Sequence, residues 1–382
     1  MRISLLLSLL VAVGCGDDSS MVMDAGPIGV DASTDGGPDG VDAGATDAGS
    51  LDSGSSDAGP SDSGTSDAGS ASIEFTTPPI DPGVPVRFAT VPYGEHPKQL
   101  MDVWLPESDV PTSVVVFYHG GGFVGGSRSS AHAGAAAMLR AVLGAGIAWV
   151  GIDYRFVTDS MSERGVEDSL ADSRRGLQFM RFHAAELNID PEHVGLTGGS
   201  AGAGTSLWLA LHDDMANPES DDPIERVSTR VSTAMVWETQ ATYDVVRWPT
   251  DVFSPTYPLT PEELVSDVSI AFQVVAFYGL PFGLASDPDQ LLMELNTPEF
   301  VELRADLDML AWMSADDPPL YLLSEGSDVA PDARGFDILH HPLHAMAVRE
   351  AAAEVGVTVE ANVPAFDVST EVGNIGFLLE NL

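Results

Sequence analysis

From residue 73 to the end of the chain, short apolar runs are separated by turn residues and by segments of helical period. Eight runs have strand length: 84–91, 100–105, 114–118, 147–153, 194–197, 231–237, 319–324 and 357–363. The run VVVFY at 114–118 is apolar without a break, as in a strand covered on both faces. Helical patterning falls near 131–144, 166–187, 201–212, 261–276, 298–312 and 343–355. Alternation on this spacing predicts a mostly parallel sheet with helices on both faces. Such sheets present their chemistry at the carboxyl ends of the strands.

The first 72 residues read differently. Arg2 and the apolar run Leu5 to Val13 form an export signal too short to span a bilayer, which takes about 20 apolar residues. Ala12-Val13-Gly14-Cys15 resembles a bacterial lipobox. That resemblance implies a signal peptide over 1–14, lipidation of Cys15, and a chain exported and lipid-anchored to the bacterial cell envelope. Cys15 is the single cysteine, so no intrachain disulfide is expected. Residues 15–72 repeat Asp, Gly, Ser and Ala, hold twelve aspartates, and contain neither Lys nor Arg. Such a segment cannot bury a core and is expected to be a disordered linker, leaving 73–382 as the folded domain. The whole chain carries a formal charge of −42, which argues against nucleic acid as a partner, since phosphate binding needs a basic face.

Candidate chemistry concentrates where two strands are predicted to end. Val194 to Leu196 leads through Thr197, Gly198 and Gly199 to Ser200, then through Ala201 and Gly202 into an apolar helix. Gly198-x-Ser200-x-Gly202 is the strand–turn–helix pattern that holds a serine nucleophile on a sharp bend. The other is His119-Gly120-Gly121-Gly122-Phe123, directly after 114–118. Its consecutive glycines expose backbone N–H groups of the kind that stabilise an acyl-transfer oxyanion.

HGGGF and GGSAG, with VWLP (103–106), DYR (153–155) and SADDPPLYLL (314–323), resemble the α/β-hydrolase esterases and lipases. The likeness is in particular to the hormone-sensitive-lipase-like enzymes and the bacterial feruloyl or carbohydrate esterase-like branch. The resemblance implies an α/β-hydrolase fold with a partial cap drawn from 213–313, and a cofactor-free, metal-free ester hydrolase acting on a small-molecule or carbohydrate ester. Ser200 would attack the carbonyl, the amides of Gly121, Gly122 and Ala201 would hold the oxyanion, and His119 would anchor the glycine loop. The triad order Ser, acid, His places the acid just past 320–324. Asp328 is the expected orienter, with Asp332 and Glu325 as alternates.

The family's histidine would follow the last strand, yet none of the final 38 residues is a histidine. One reading moves the base to His340-His341-Pro342-Leu343-His344, at a helix start that would keep an imidazole neutral, with His341 favoured. The other leaves a catalytically degenerate, ligand-binding lipoprotein. The spacing of His341 and His344 also admits a two-histidine metal site, without an obvious partner acid.

Overall fold

The computed structural model describes residues 73–159, 164–330 and 336–382. The expected signal segment, Cys15, the expected linker over 15–72 and Asp332 fall outside the described residues. Among the described residues, eight strands form one sheet in the order β1-β2-β4-β3-β5-β6-β7-β8. They are β1 (Val86–Pro92), β2 (Leu100–Pro106), β3 (Thr112–Tyr118), β4 (Ala148–Ile152), β5 (Ile189–Gly199), β6 (Thr233–Trp237), β7 (Leu320–Leu323) and β8 (Val359–Asn362). Each predicted strand is present with shifted ends. β5 begins earlier than the apolar run because Ile189 already pairs with Thr112, ahead of a register shift. The β1–β2 and β2–β4 pairs are antiparallel, and every pairing from β4 through β8 is parallel.

Longer helices connect and cover the strands: α1 (Ala136–Gly144), α2 (Val166–Phe182), α3 (Ala201–Leu211), α4 (Pro261–Ser266), α5 (Val268–Phe277), α6 (Pro288–Leu295), α7 (Pro298–Asp306), α8 (Leu343–Val355) and α9 (Asn374–Glu380). Alternation along β3 sorts the two faces. Val115 and Phe117 join Trp104 and Trp149 in a core closed by Met138, Leu139 and Val142 of α1 and by Phe377 and Leu378 of α9. On the opposite face Tyr118 donates its hydroxyl to the Ser173 carbonyl of α2 at 3.1 Å. All of α3 is buried. This explains why its sequence is apolar around the whole circumference rather than along one stripe.

The interval 213–313 contributes α4 to α7 and a single wide turn, Trp248–Phe253. The predicted helix 261–276 is two helices, because the Asp267 carboxylate accepts the Ser269 and Ile270 amides and starts a new one. Tyr243, Trp248, Phe253 and Tyr278 are buried, so these aromatics pack the interior. A buried Arg304–Asp244 pair at 2.8 Å joins α7 to the segment after β6.

Candidate active site

The bend between β5 and α3 carries Ser200 at φ 54°, ψ −122°. For a residue with a side chain, that conformation costs on the order of 1–3 kcal/mol. It is held from both sides. The Ser200 amide donates to the Trp237 carbonyl of β6 at 3.1 Å, and its carbonyl accepts the Gly204 amide at 3.0 Å as the helix begins. Gly202 is required by close approach, since a Cβ there would run into the Tyr118 carbonyl of β3.

The glycine loop lies directly against this bend. A Cβ built on Gly120 would sit 2.9 Å from the Gly199 carbonyl oxygen and 3.4 Å from Ser200 Cβ. The Gly121 carbonyl accepts the amides of Val124 and Gly125 at 3.0 and 3.1 Å, folding the loop back on itself. Ala201 opens α3, where an amide has no acceptor within its own helix. The three expected oxyanion donors, Gly121, Gly122 and Ala201, thus belong to two abutting segments. His119 is fully buried and anchors the loop: Nδ1 donates to the Gly120 carbonyl at 2.8 Å, and the ring stacks on Tyr154 at 4.3 Å. Burial lowers its pKa to about 4, which keeps it neutral.

His340, rather than the expected His341, meets the serine. Its Nε2 is 2.8 Å from Ser200 Oγ. The two neighbouring side chains leave the backbone in different directions, and packing decides which one reaches the bend. His341 is buried, with Nε2 donating to the Val329 carbonyl at 3.0 Å and Nδ1 accepting the Leu343 amide at 3.1 Å. Phe253 and Tyr257 hold its ring edge-on, each at 5.5 Å. Burial lowers the His340 pKa to about 4, so near neutral pH the imidazole can accept a proton.

Asp328, expected to orient the base, faces that base's neighbour. Its Oδ1 accepts the Tyr257 hydroxyl at 2.6 Å and stands 3.7 Å from His341 Nε2. Of the alternates, Glu325 gives its amide to Glu238 Oε1 at 2.7 Å, and Asp332 lies outside the described residues. The two-histidine metal arrangement does not form. Both His344 ring nitrogens bond to backbone, and among the described residues no group of three or more His, Cys, Asp or Glu is placed to hold an ion.

Sequence reasoning passed over the exit from β6. Glu238 takes φ 50° immediately after Trp237. Its carboxylate accepts the Glu325 amide at 2.7 Å and the Ser324 hydroxyl at 3.2 Å, and burial raises its pKa. Gln240 donates to the Leu339 carbonyl, one residue before the base, at 2.8 Å. The available signal was an acid directly after the apolar run TAMVW, at a carboxyl strand end.

Residues 101–265 match the BD-FAE family model. The match takes in Ser200 and the glycine loop and stops short of His340. Among solved structures, one described as a truncated form of carbohydrate esterase from gut microbiota superposes with a TM-score of 0.53 at 17% identity, covering 76% of this chain and 94% of that one. The chain has the α/β-hydrolase fold. Curated relatives of this chain include carboxylesterase NlhH of Mycobacterium tuberculosis, 32% identical over 145 residues, which are 37% of this chain and 43% of the relative. A probable isoprenylcysteine alpha-carbonyl methylesterase of Arabidopsis thaliana is 30% identical over 144 residues, 37% of this chain and 29% of that protein. The chain therefore aligns with less than half the length of either.

Proposed function

We propose that this chain of α/β-hydrolase fold is a carboxylic ester hydrolase working through an acyl-enzyme on Ser200. The observation that carries this reading is the 2.8 Å contact between His340 Nε2 and Ser200 Oγ, at a strained bend packed against the glycine loop. Ser200 Oγ attacks the ester carbonyl while its proton passes to His340 Nε2. The amides of Gly121, Gly122 and Ala201 take the charge that develops on the carbonyl oxygen. Collapse breaks the bond to the alcohol, which leaves with the proton from His340. Water, deprotonated by the same imidazole, then releases the acid. A degenerate site would leave Ser200 without a base in reach, and the His340 contact favours the working one. Residues 12–15 support export and lipid anchoring through Cys15 as part of the proposal. Unchanged incorporation of labelled fatty acid in a Cys15→Ser variant would remove that part.

The test of activity is hydrolysis of short-chain aryl esters by the purified protein beside Ser200→Ala. The wild type should turn over and the variant should fall at least about 10³-fold. Equal rates would remove the enzyme reading.

A further inference from the structure

The base reaches Ser200 from the connection between β7 and α8, not from the end of β8. A strand end does not hold it, so its placement depends on what grips residues 338–340. Among the described residues, His344 and Gln240 bond to the backbone carbonyls of Ile338 and Leu339. His344, in the first turn of α8, is fully buried. Its Nδ1 accepts the Ala241 amide at 3.1 Å, and its Nε2 donates to the Ile338 carbonyl at 2.9 Å. Those partners determine the tautomer, since an amide N–H only donates and a carbonyl only accepts. The imidazole is a neutral strut between the β6 exit and the residue two before the base. Gln240, on the same exit, holds the Leu339 carbonyl at 2.8 Å. Trp248 and Phe253 close the sides of the strut, edge-on at 4.9 and 5.6 Å. The end of β6 also meets the bend at Ser200, because the Trp237 carbonyl accepts the Ser200 amide. One short segment, 237–241, therefore touches the nucleophile's backbone at one end and, at the other, the Leu339 carbonyl next to the base and the His344 ring.

We propose that His344 is a positioning residue for His340, acting with Gln240 to set the distance and angle between the imidazole and the Ser200 hydroxyl. The inference rests on the Ser200–His340 reading. A satisfied buried histidine is commonly a matter of stability alone, and the two roles separate in kinetics. Misplacing a reacting group by about 1 Å can cost about 100-fold in rate.

The experiment uses the full chain and compares His344→Ala, His344→Gln and Gln240→Ala well below their melting temperatures. It reads kcat and KM on a short-chain aryl ester and the rate of Ser200 labelling by an aryl phosphonate. His344→Ala should lower kcat and labelling by about 10- to 100-fold with KM within about twofold. His344→Gln, whose amide nitrogen can still donate to the Ile338 carbonyl, should recover much of the loss. Gln240→Ala should show a smaller loss of the same kind, about 3- to 10-fold. In a His340→Ala background, adding His344→Ala should change nothing further. A folded His344→Ala protein with wild-type kcat overturns the proposal, as does a loss of equal size in the His340→Ala background. If His344→Ala fails to fold, unchanged kcat in both other variants overturns it. Wild-type turnover by His340→Ala would instead refute the underlying assignment of the base.

Discussion

Replacing His340 with alanine removes the proton acceptor 2.8 Å from Ser200 Oγ and leaves the bend and the glycine loop in place. A serine hydroxyl deprived of its base is a poor nucleophile. In the subtilisin triad, worked through by mutagenesis, loss of the histidine costs about 10⁶ in kcat. A drop of at least about 10⁴ is expected here, equivalent to about 5.4 kcal/mol of transition-state stabilisation. KM should stay within a few fold, since the imidazole acts on the proton in flight. His341→Ala should behave differently. It strips the Val329 carbonyl of its donor and the Leu343 amide of its acceptor inside a packed aromatic pocket. Val329 is exposed, so water can replace that donor, and the cost falls mainly on the half-buried Leu343 amide and the lost ring packing, about 1–3 kcal/mol together. The outcome should be a lower melting temperature with kcat within about tenfold of wild type. Steady-state kinetics on an aryl ester, with circular dichroism at the assay temperature, separates the two variants. If folded His341→Ala loses as much turnover as His340→Ala, or if His340→Ala keeps a tenth of its rate, the assignment of the base is wrong.

Asp328→Asn should reduce kcat less than tenfold, because its carboxylate engages Tyr257 and the neighbour of the base; a fall of about 10³–10⁴ would restore it as the orienter. Gly120→Ala should slow labelling of Ser200 by a phosphonate while the protein stays folded, since the added methyl would press on the Gly199 carbonyl beside the bend; near-normal labelling would mean the loop does not abut the bend. Acid should weaken the fold through His344, whose folded pKa is lowered by burial to about 3 against about 6.5 when unfolded. Above pH ~6.5 both states are neutral and the stability is intact; as pH falls below that value only the unfolded chain gains the proton, at about 1.4 kcal/mol per pH unit. Urea titrations at pH 7 and 5 should therefore show the stability gap between wild type and His344→Gln narrowing by about 2 kcal/mol, and a constant gap would contradict the burial.

Much of the architecture was legible before any coordinates, for a local reason. A strand covered on both faces has to be apolar without interruption, so VVVFY announces β3. A serine bend between strand and helix needs small flanking residues where backbones touch, so the spacing of Gly198, Ser200 and Gly202 points to the nucleophile. The identity of the base was not local. His340 and His341 are adjacent, equally polar and within three residues of the start of α8, and no rule of periodicity separates them. What separates them is a pocket assembled from distant chain, with Phe253 and Tyr257 enclosing His341 while the neighbouring ring turns toward a hydroxyl 140 positions earlier. What Glu238 and Gln240 hold was hidden for the same reason, because their partners lie about 90 to 100 residues away. Which residues could carry the chemistry followed from composition along short windows. Which of them meet was decided by packing between segments that the chain order keeps far apart.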